Sequence, residues 1–157
     1  MDGGKSNVTT PWRSLIGGMA HAAEFAACAS IAQISLAERS IGVAFPDSLR
    51  TLLMECDGVR DNLGAELIWP CAKLVQQNAK FRRHAPFREL YMPFDNLLLI
   101  GEDGGGDQFA FAITADGQIS KADIYRWEHE TDGRPWFAGG LRQYLERLLS
   151  PQQFERR

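Results

Sequence analysis

Apolar and polar positions are most sharply patterned between residues 97 and 113, LLLIGEDGGGDQFAFAI. Residues 97–100 are a continuous apolar run, the pattern of a strand buried on both faces. Phe109, Phe111 and Ile113 alternate with Ala110 and Ala112, which predicts a second strand with one bulky and one small face. Residues 101–107 between them hold four glycines and three carboxylates, Glu102, Asp103 and Asp107. The pattern predicts two central strands joined by a loop whose backbone angles call for glycine.

Helical periodicity dominates both sides of this hairpin. Leu49, Leu52, Leu53 and Cys56 make an apolar stripe that starts at Pro46-Asp47-Ser48 and ends at Asp57-Gly58. Leu141, Tyr144, Leu145, Leu148 and Leu149 make another, which Trp136-Phe137 enters and Pro151 ends. Residues 73–83 read as a basic helix with Leu74, Gln77 and Phe81 aligned; its Lys80, Arg82 and Arg83 read as a solvated face. At the N-terminal end, Thr10-Pro11 starts a helix carrying Trp12, Leu15 and Ile16. Gly17-Gly18 interrupts it, and a second helix is expected over residues 19–40, with Ile31, Ile34 and Ile41 near one face and Gly42 as its stop. Residues 66–69 read as a short strand, 84–89 as loop and 91–94 as extended. Residues 118–119 and 123–127 read as further extended segments after a turn at Ala115-Asp116-Gly117. Residues 128–133 form an acidic loop. The fold class is therefore α+β: a single domain with a mostly antiparallel sheet and N-terminal, middle and C-terminal helices packed against it.

Composition places this pattern in one domain. A chain of 157 residues with 45% apolar and 24% charged content can bury a full core. The domain is expected over residues 11–150, with tails at 1–10 and 151–157. Residues 15–32 are rich in alanine, but His21 and Glu24 interrupt them, so a helix is expected there rather than a targeting segment. Three cysteines without metal-ligand spacing, Cys28, Cys56 and Cys71, point to reduced thiols and a cytoplasmic setting, with Cys56 buried.

Charge changes the picture more. The net charge of −3 argues against nucleic acid or an acidic membrane as a direct partner. Residues 95–132 nevertheless carry nine acidic and two basic side chains, or −7, whereas residues 1–94 carry +1 and residues 133–157 carry +3. This block suits a basic partner; a solvated hairpin face accounts for the same charges.

Candidate chemistry is sparse. The glycine loop lacks the lysine and the following helix of a phosphate cradle, and its carboxylates would repel phosphate. It also lacks the ligand spacing and closing glutamate of an EF-hand, so no bound ion or other cofactor is expected. His21, His84 and His129 have no second histidine or cysteine at ligand spacing. His129 between Glu128 and Glu130 could act as a base only in a loop geometry, because neighbours on a strand face opposite ways. Asp95 with Asp107 makes a carboxylate pair only if a cleft joins them. Trp69 and Trp136 are expected in the core, while Tyr125 and Trp127 are candidate contact residues.

The order of motifs is specific. Ile41-Gly42-Val43-Ala44-Phe45-Pro46-Asp47-Ser48-Leu49 leads to Asp57-Gly58, then Leu67-Ile68-Trp69, with Asn78 in the next helix. Leu99-Ile100-Gly101 leads to Gly105-Gly106-Asp107-Gln108-Phe109, and Ile124-Tyr125-Arg126-Trp127-Glu128-His129-Glu130 precedes a helix starting near Ala138. From about Ile31 to Leu149 this resembles the SMI1/KNR4 family of the SUKH superfamily. The resemblance implies an α+β fold without enzymatic activity. Many bacterial members are immunity proteins that bind a cognate toxin, of nuclease or deaminase type, in the cytoplasm; fungal relatives act in cell-wall synthesis and signalling. On that basis the expected partner is a basic toxin domain, bound through Glu102, Asp103, Asp107, Asp123, Glu128, Glu130 and Asp132, with Tyr125 or Trp127 as anchors. A regulatory or scaffold protein without a toxin partner is the alternative. Asp107 has two open roles: tying its loop down by bonding backbone amides, or touching the partner.

Overall fold

A computed structural model describes residues 11–19 and 23–149. The expected tails, His21 and the end of the last helix lie outside the described residues.

Two antiparallel sheets are flanked by helices, as α+β requires. Helix α1 (Trp12–Met19) is followed by strand β1 (Glu24–Phe25), helix α2 (Ile31–Ile41) and helix α3 (Asp47–Glu55). Strands β2 (Val59–Arg60) and β3 (Glu66–Ile68) complete a three-stranded sheet of order β1-β2-β3. Helices α4 (Cys71–Arg83) and α5 (Ala85–Leu90) lead to a four-stranded sheet in sequence order. Its strands are β4 (Leu97–Glu102), β5 (Gln108–Ala112), β6 (Ile124–Trp127) and β7 (Trp136–Ala138), and α6 (Leu141–Leu149) follows. The Trp69 amide donates to the Ile100 carbonyl at 2.8 Å, linking the two sheets.

The central hairpin has the expected form. Leu98 pairs with Phe111 and Leu99 with Ala110, and Leu97–Ile100 are buried throughout. A Cβ at Gly101 would lie 1.9 Å from the Leu67 carbonyl oxygen, so only glycine lets β4 cross β3 this closely. The same carbonyl accepts the buried Tyr144 hydroxyl at 2.6 Å, which locks α6 onto this crossing. Leu49, Leu52, Leu53 and Cys56 are all fully buried, as their spacing predicts. Trp69 is buried as well.

Several elements differ from expectation, each for a local reason. The expected helix over residues 19–40 does not exist as one piece. Ser30 and Gln33 form a capping box that starts α2 at Ile31. Before it, Glu24 and Phe25 pair with Arg60 and Val59, so strand pairing overrides the helix propensity of alanine. On α2 the buried residues are Ile34 and Ala37, while Ile31 is exposed. On α4 the inward position is Asn78, not Gln77. Its amide donates to the Leu74 and Leu99 carbonyls and accepts from the Leu99 amide, all within 2.8–2.9 Å. A side-chain amide thus pairs with β4 as a neighbouring strand would. Residues 85–90 are helical rather than loop, with Pro86 in the first turn, where its fixed φ and missing N–H cost nothing. Residues 91–94 and 118–119 are not strands. The turn at residues 114–118 sits inside a long connection between β5 and β6. Trp136-Phe137 belongs to β7, not to the last helix, because Tyr125 pairs with Trp136 and Ile124 with Ala138. Trp136 is consequently at the sheet edge and about half exposed, not in the core.

Candidate functional site

Strands β5 and β6 place the two acidic loops side by side. Gln108 pairs with Trp127 and Phe109 with Arg126, so the start of β5 and the end of β6 reach the same end of the sheet. The loop before β5 (residues 103–107) therefore meets the loop after β6 (residues 128–133). Gly104 and Gly106 carry φ of +85° and +103°, the left-handed angles expected of this loop.

Asp107 fastens the two loops together. One carboxylate oxygen contacts His129 Nδ1 at 2.6 Å and accepts the His129 amide at 3.1 Å. The other accepts Arg126 Nε at 2.8 Å. Arg126 also donates through a terminal nitrogen to Asp103 at 2.7 Å, and Asp103 accepts the Gly105 amide at 2.8 Å. Gly106 is needed here: a Cβ would lie 2.8 Å from the imidazole. Partial burial would push the Asp107 carboxyl up, but the hydrogen bonds from His129 and Arg126 together hold it below the ordinary aspartate value. The hydrogen bond to Asp107 raises the His129 pKa, against desolvation, with help from the charges of Glu130 and Asp103.

Asp132 makes a second fastening, to the segment after α5. It sits at φ +59°, accepts the Met92 amide at 2.9 Å, and accepts Trp127 Nε1 at 2.8 Å. Arg134 reaches Asp132 at 3.3 Å and donates to the Met92 and Pro93 carbonyls.

The nine expected contact residues thus divide. Asp103, Asp107 and Asp132 are turned to inner partners. Asp123 accepts the Trp136 indole N–H at 2.9 Å. Trp127 is buried among Phe81, Tyr91 and Phe94, so it forms core rather than a surface anchor. Glu128 accepts the Thr131 hydroxyl at 3.0 Å. Glu102 and Tyr125 are half-buried and Glu130 is exposed. Arg126 and Arg134 are structural members of the arrangement whose roles the residue pattern did not show. Arg126 carried a signal, being one of only two bases in the −7 block.

Chemically, the Asp107–His129 pair resembles an acid that orients a base. The hydrogen bond to Asp107 raises the His129 pKa and so stabilises the protonated ring. Asp107 is also shared with Arg126, so the pair functions as a staple. Among the described residues, no group of three or more His, Cys, Asp or Glu side chains is placed to hold a metal ion. No helix among them is long and apolar enough to cross a membrane. Burial pushes the Cys56 thiol up to about 11 and the Cys71 thiol up to about 12, which makes both unreactive.

Fold and site together define a small α+β domain that presents two mutually stapled loops at one end of an antiparallel sheet. Residues 31–145 match the SMI1-KNR4 cell-wall family (SUKH_6), and the chain belongs to that family. The matched region includes both sheets except β1, the two loops and most of α6. Members of the family are generally non-enzymatic. No curated protein matches the chain.

Proposed function

We propose that the chain is a non-enzymatic, cytoplasmic immunity protein that binds and neutralises a basic toxin domain of nuclease or deaminase type. One observation carries the reading: the Asp107 staple fixes two acidic loops of a SUKH-family domain in a single arrangement before any partner arrives. Preorganised loops bind without the cost of ordering them. Exposed Glu130, with half-buried Glu102 and Glu128, supplies the negative charge that speeds encounter with a basic surface. Asp103, Asp107 and Asp132 hold the two loops from within, whereas Tyr125 and Asp123 sit farther back along β6. The family's cell-wall description favours a second reading, a regulatory or scaffold module without a toxin.

Pull-down from native cell extract with mass spectrometry separates the two. The immunity reading expects a basic nuclease or deaminase domain whose retention falls steeply with salt. Envelope or signalling proteins, or an empty bait, would contradict it.

A further inference from the structure

Strand β7 is the outermost strand of the four-stranded sheet, and it carries two adjacent aromatic side chains. Phe137 packs on Phe109 and Tyr144, with ring centroids 4.8 and 6.0 Å away. Trp136 beside it remains 49% exposed. The other large apolar side chains exposed among the described residues, Ile31, Leu36, Met54, Leu63, Leu90 and Met92, carry no ring.

The exposed indole is nevertheless fixed. Its N–H donates to Asp123 at 2.9 Å, and the Arg147 guanidinium lies 5.3 Å from the ring centroid. Arg147 is held in turn, donating to the Phe137 carbonyl at 2.6 Å. Asp123 and Arg147 carry opposite charges, so they offset each other beside the ring. Because the ring is already ordered, covering it costs little side-chain entropy. Tryptophan is also among the residue types enriched where binding energy concentrates.

Trp136 shares a hairpin with one of the acidic loops. The Glu128 amide donates to the Gly133 carbonyl at 2.8 Å, and the Arg126 amide donates to the Pro135 carbonyl at 2.9 Å. Three residues of strand, roughly 10 Å, separate Gly133 from Trp136. An interface of standard size buries about 800 Å² on each partner, so one footprint covers both. Exposed residues mark the way along the hairpin: Glu130 and Thr131 in the loop, then Pro135 and Trp136.

We infer that Trp136 is the apolar anchor of the partner interface, entering an apolar pocket of the basic toxin domain while the acidic loops meet its basic rim. This rests on the toxin-binding reading above. The anchoring role expected of Trp127 passes to the other tryptophan of the hairpin, because Trp127 is buried.

Quantitative capture from native cell extract tests it with immobilised full-length baits: the native chain, Trp136→Ala, Asp123→Ala and Glu130→Lys. Retention of a basic protein is expected to fall about tenfold or more with Trp136→Ala, by the same factor at low and raised salt. With Glu130→Lys the loss is expected to fade as salt screens the charge. Asp123→Ala keeps the ring but frees it, and is expected to lose about threefold. Circular dichroism melts check each bait, and where Trp136→Ala does not stay folded, Asp123→Ala decides. Undiminished retention by Trp136→Ala, or by Asp123→Ala in its place, overturns the anchor and leaves the toxin reading standing. So does a Trp136→Ala loss that fades with salt. A native bait that retains no basic protein overturns the toxin reading and the anchor with it.

Discussion

The loops at residues 103–107 and 128–133 are held by charge, whereas the corner at residues 80–94 is held by rings. In the loops, Arg126 and His129 neutralise Asp103 and Asp107 through bonds of 2.6–2.8 Å. In the corner, Phe81 contacts Phe87, Phe94 and Trp127 with ring centroids 4.9–5.4 Å apart. Asp132 joins the two regions, because it accepts from both Trp127 Nε1 and the Met92 amide. Ring packing is short-ranged and indifferent to pH and salt, while charge-assisted bonds are directional and respond to both. The loops therefore fix geometry and remain tunable, and the corner supplies bulk stability.

Substitutions can break this contrast, from the largest effect downward. Trp127→Ala removes a buried ring and the Asp132 donor together, and is expected to cost about 3–5 kcal/mol in urea unfolding. Gly106→Ala places a Cβ against the imidazole at a left-handed φ, and is expected to cost roughly 1–3 kcal/mol. Asp107→Asn keeps the shape but loses charge-assisted bonds at a partly exposed site, for about 1–2 kcal/mol. If Asp107→Asn destabilised as much as Trp127→Ala, the division of labour would be wrong.

The staple also predicts a pH window. The His129 pKa is raised above 6.5, so its contribution is complete below 6.5 and is lost as pH rises through the elevated value. The Asp107 pKa is lowered below 3.8, so its contribution is present above 3.8 and is lost as pH falls through the depressed value. The loops are most tightly held between these limits. An NMR titration of the His129 ring protons is expected to show the elevated value in the native chain and a return toward 6.5 in Asp107→Asn.

Much of this architecture was readable from residue patterns. The leucine stripes, the central hairpin and its glycine angles follow from local period and steric freedom, which act within a few residues. The breaks in expectation share one cause. Glu24-Phe25 and Trp136-Phe137 became strands because partners distant in sequence pair with them, and Asn78 faces inward because β4 has an open edge there. The acidic block was visible as charge, but composition does not show which carboxylates meet a cation. Arg126 lies 19 residues from Asp107 and 23 from Asp103, so the staple exists only once β5 and β6 are in register. Of the two roles left open for Asp107, the side chain does bond a backbone amide, but that of His129 in the other loop, and it is shared with Arg126.

The division also assigns the smallest structural effect to the acids that bond nothing within the loops. Exposed Glu130 and half-buried Glu102 make no side-chain hydrogen bond or ion pair among the described residues, so Glu102→Lys/Glu130→Lys is expected to change unfolding stability least of all, by roughly 0.5 kcal/mol. Isothermal titration of that double variant against the basic partner that the proposed function expects the native chain to capture is the most direct test of the account. At least a tenfold loss of affinity at low salt, with folding intact, is the predicted result. Unchanged affinity with a folded variant would contradict the claim that the stapled loops are the binding surface.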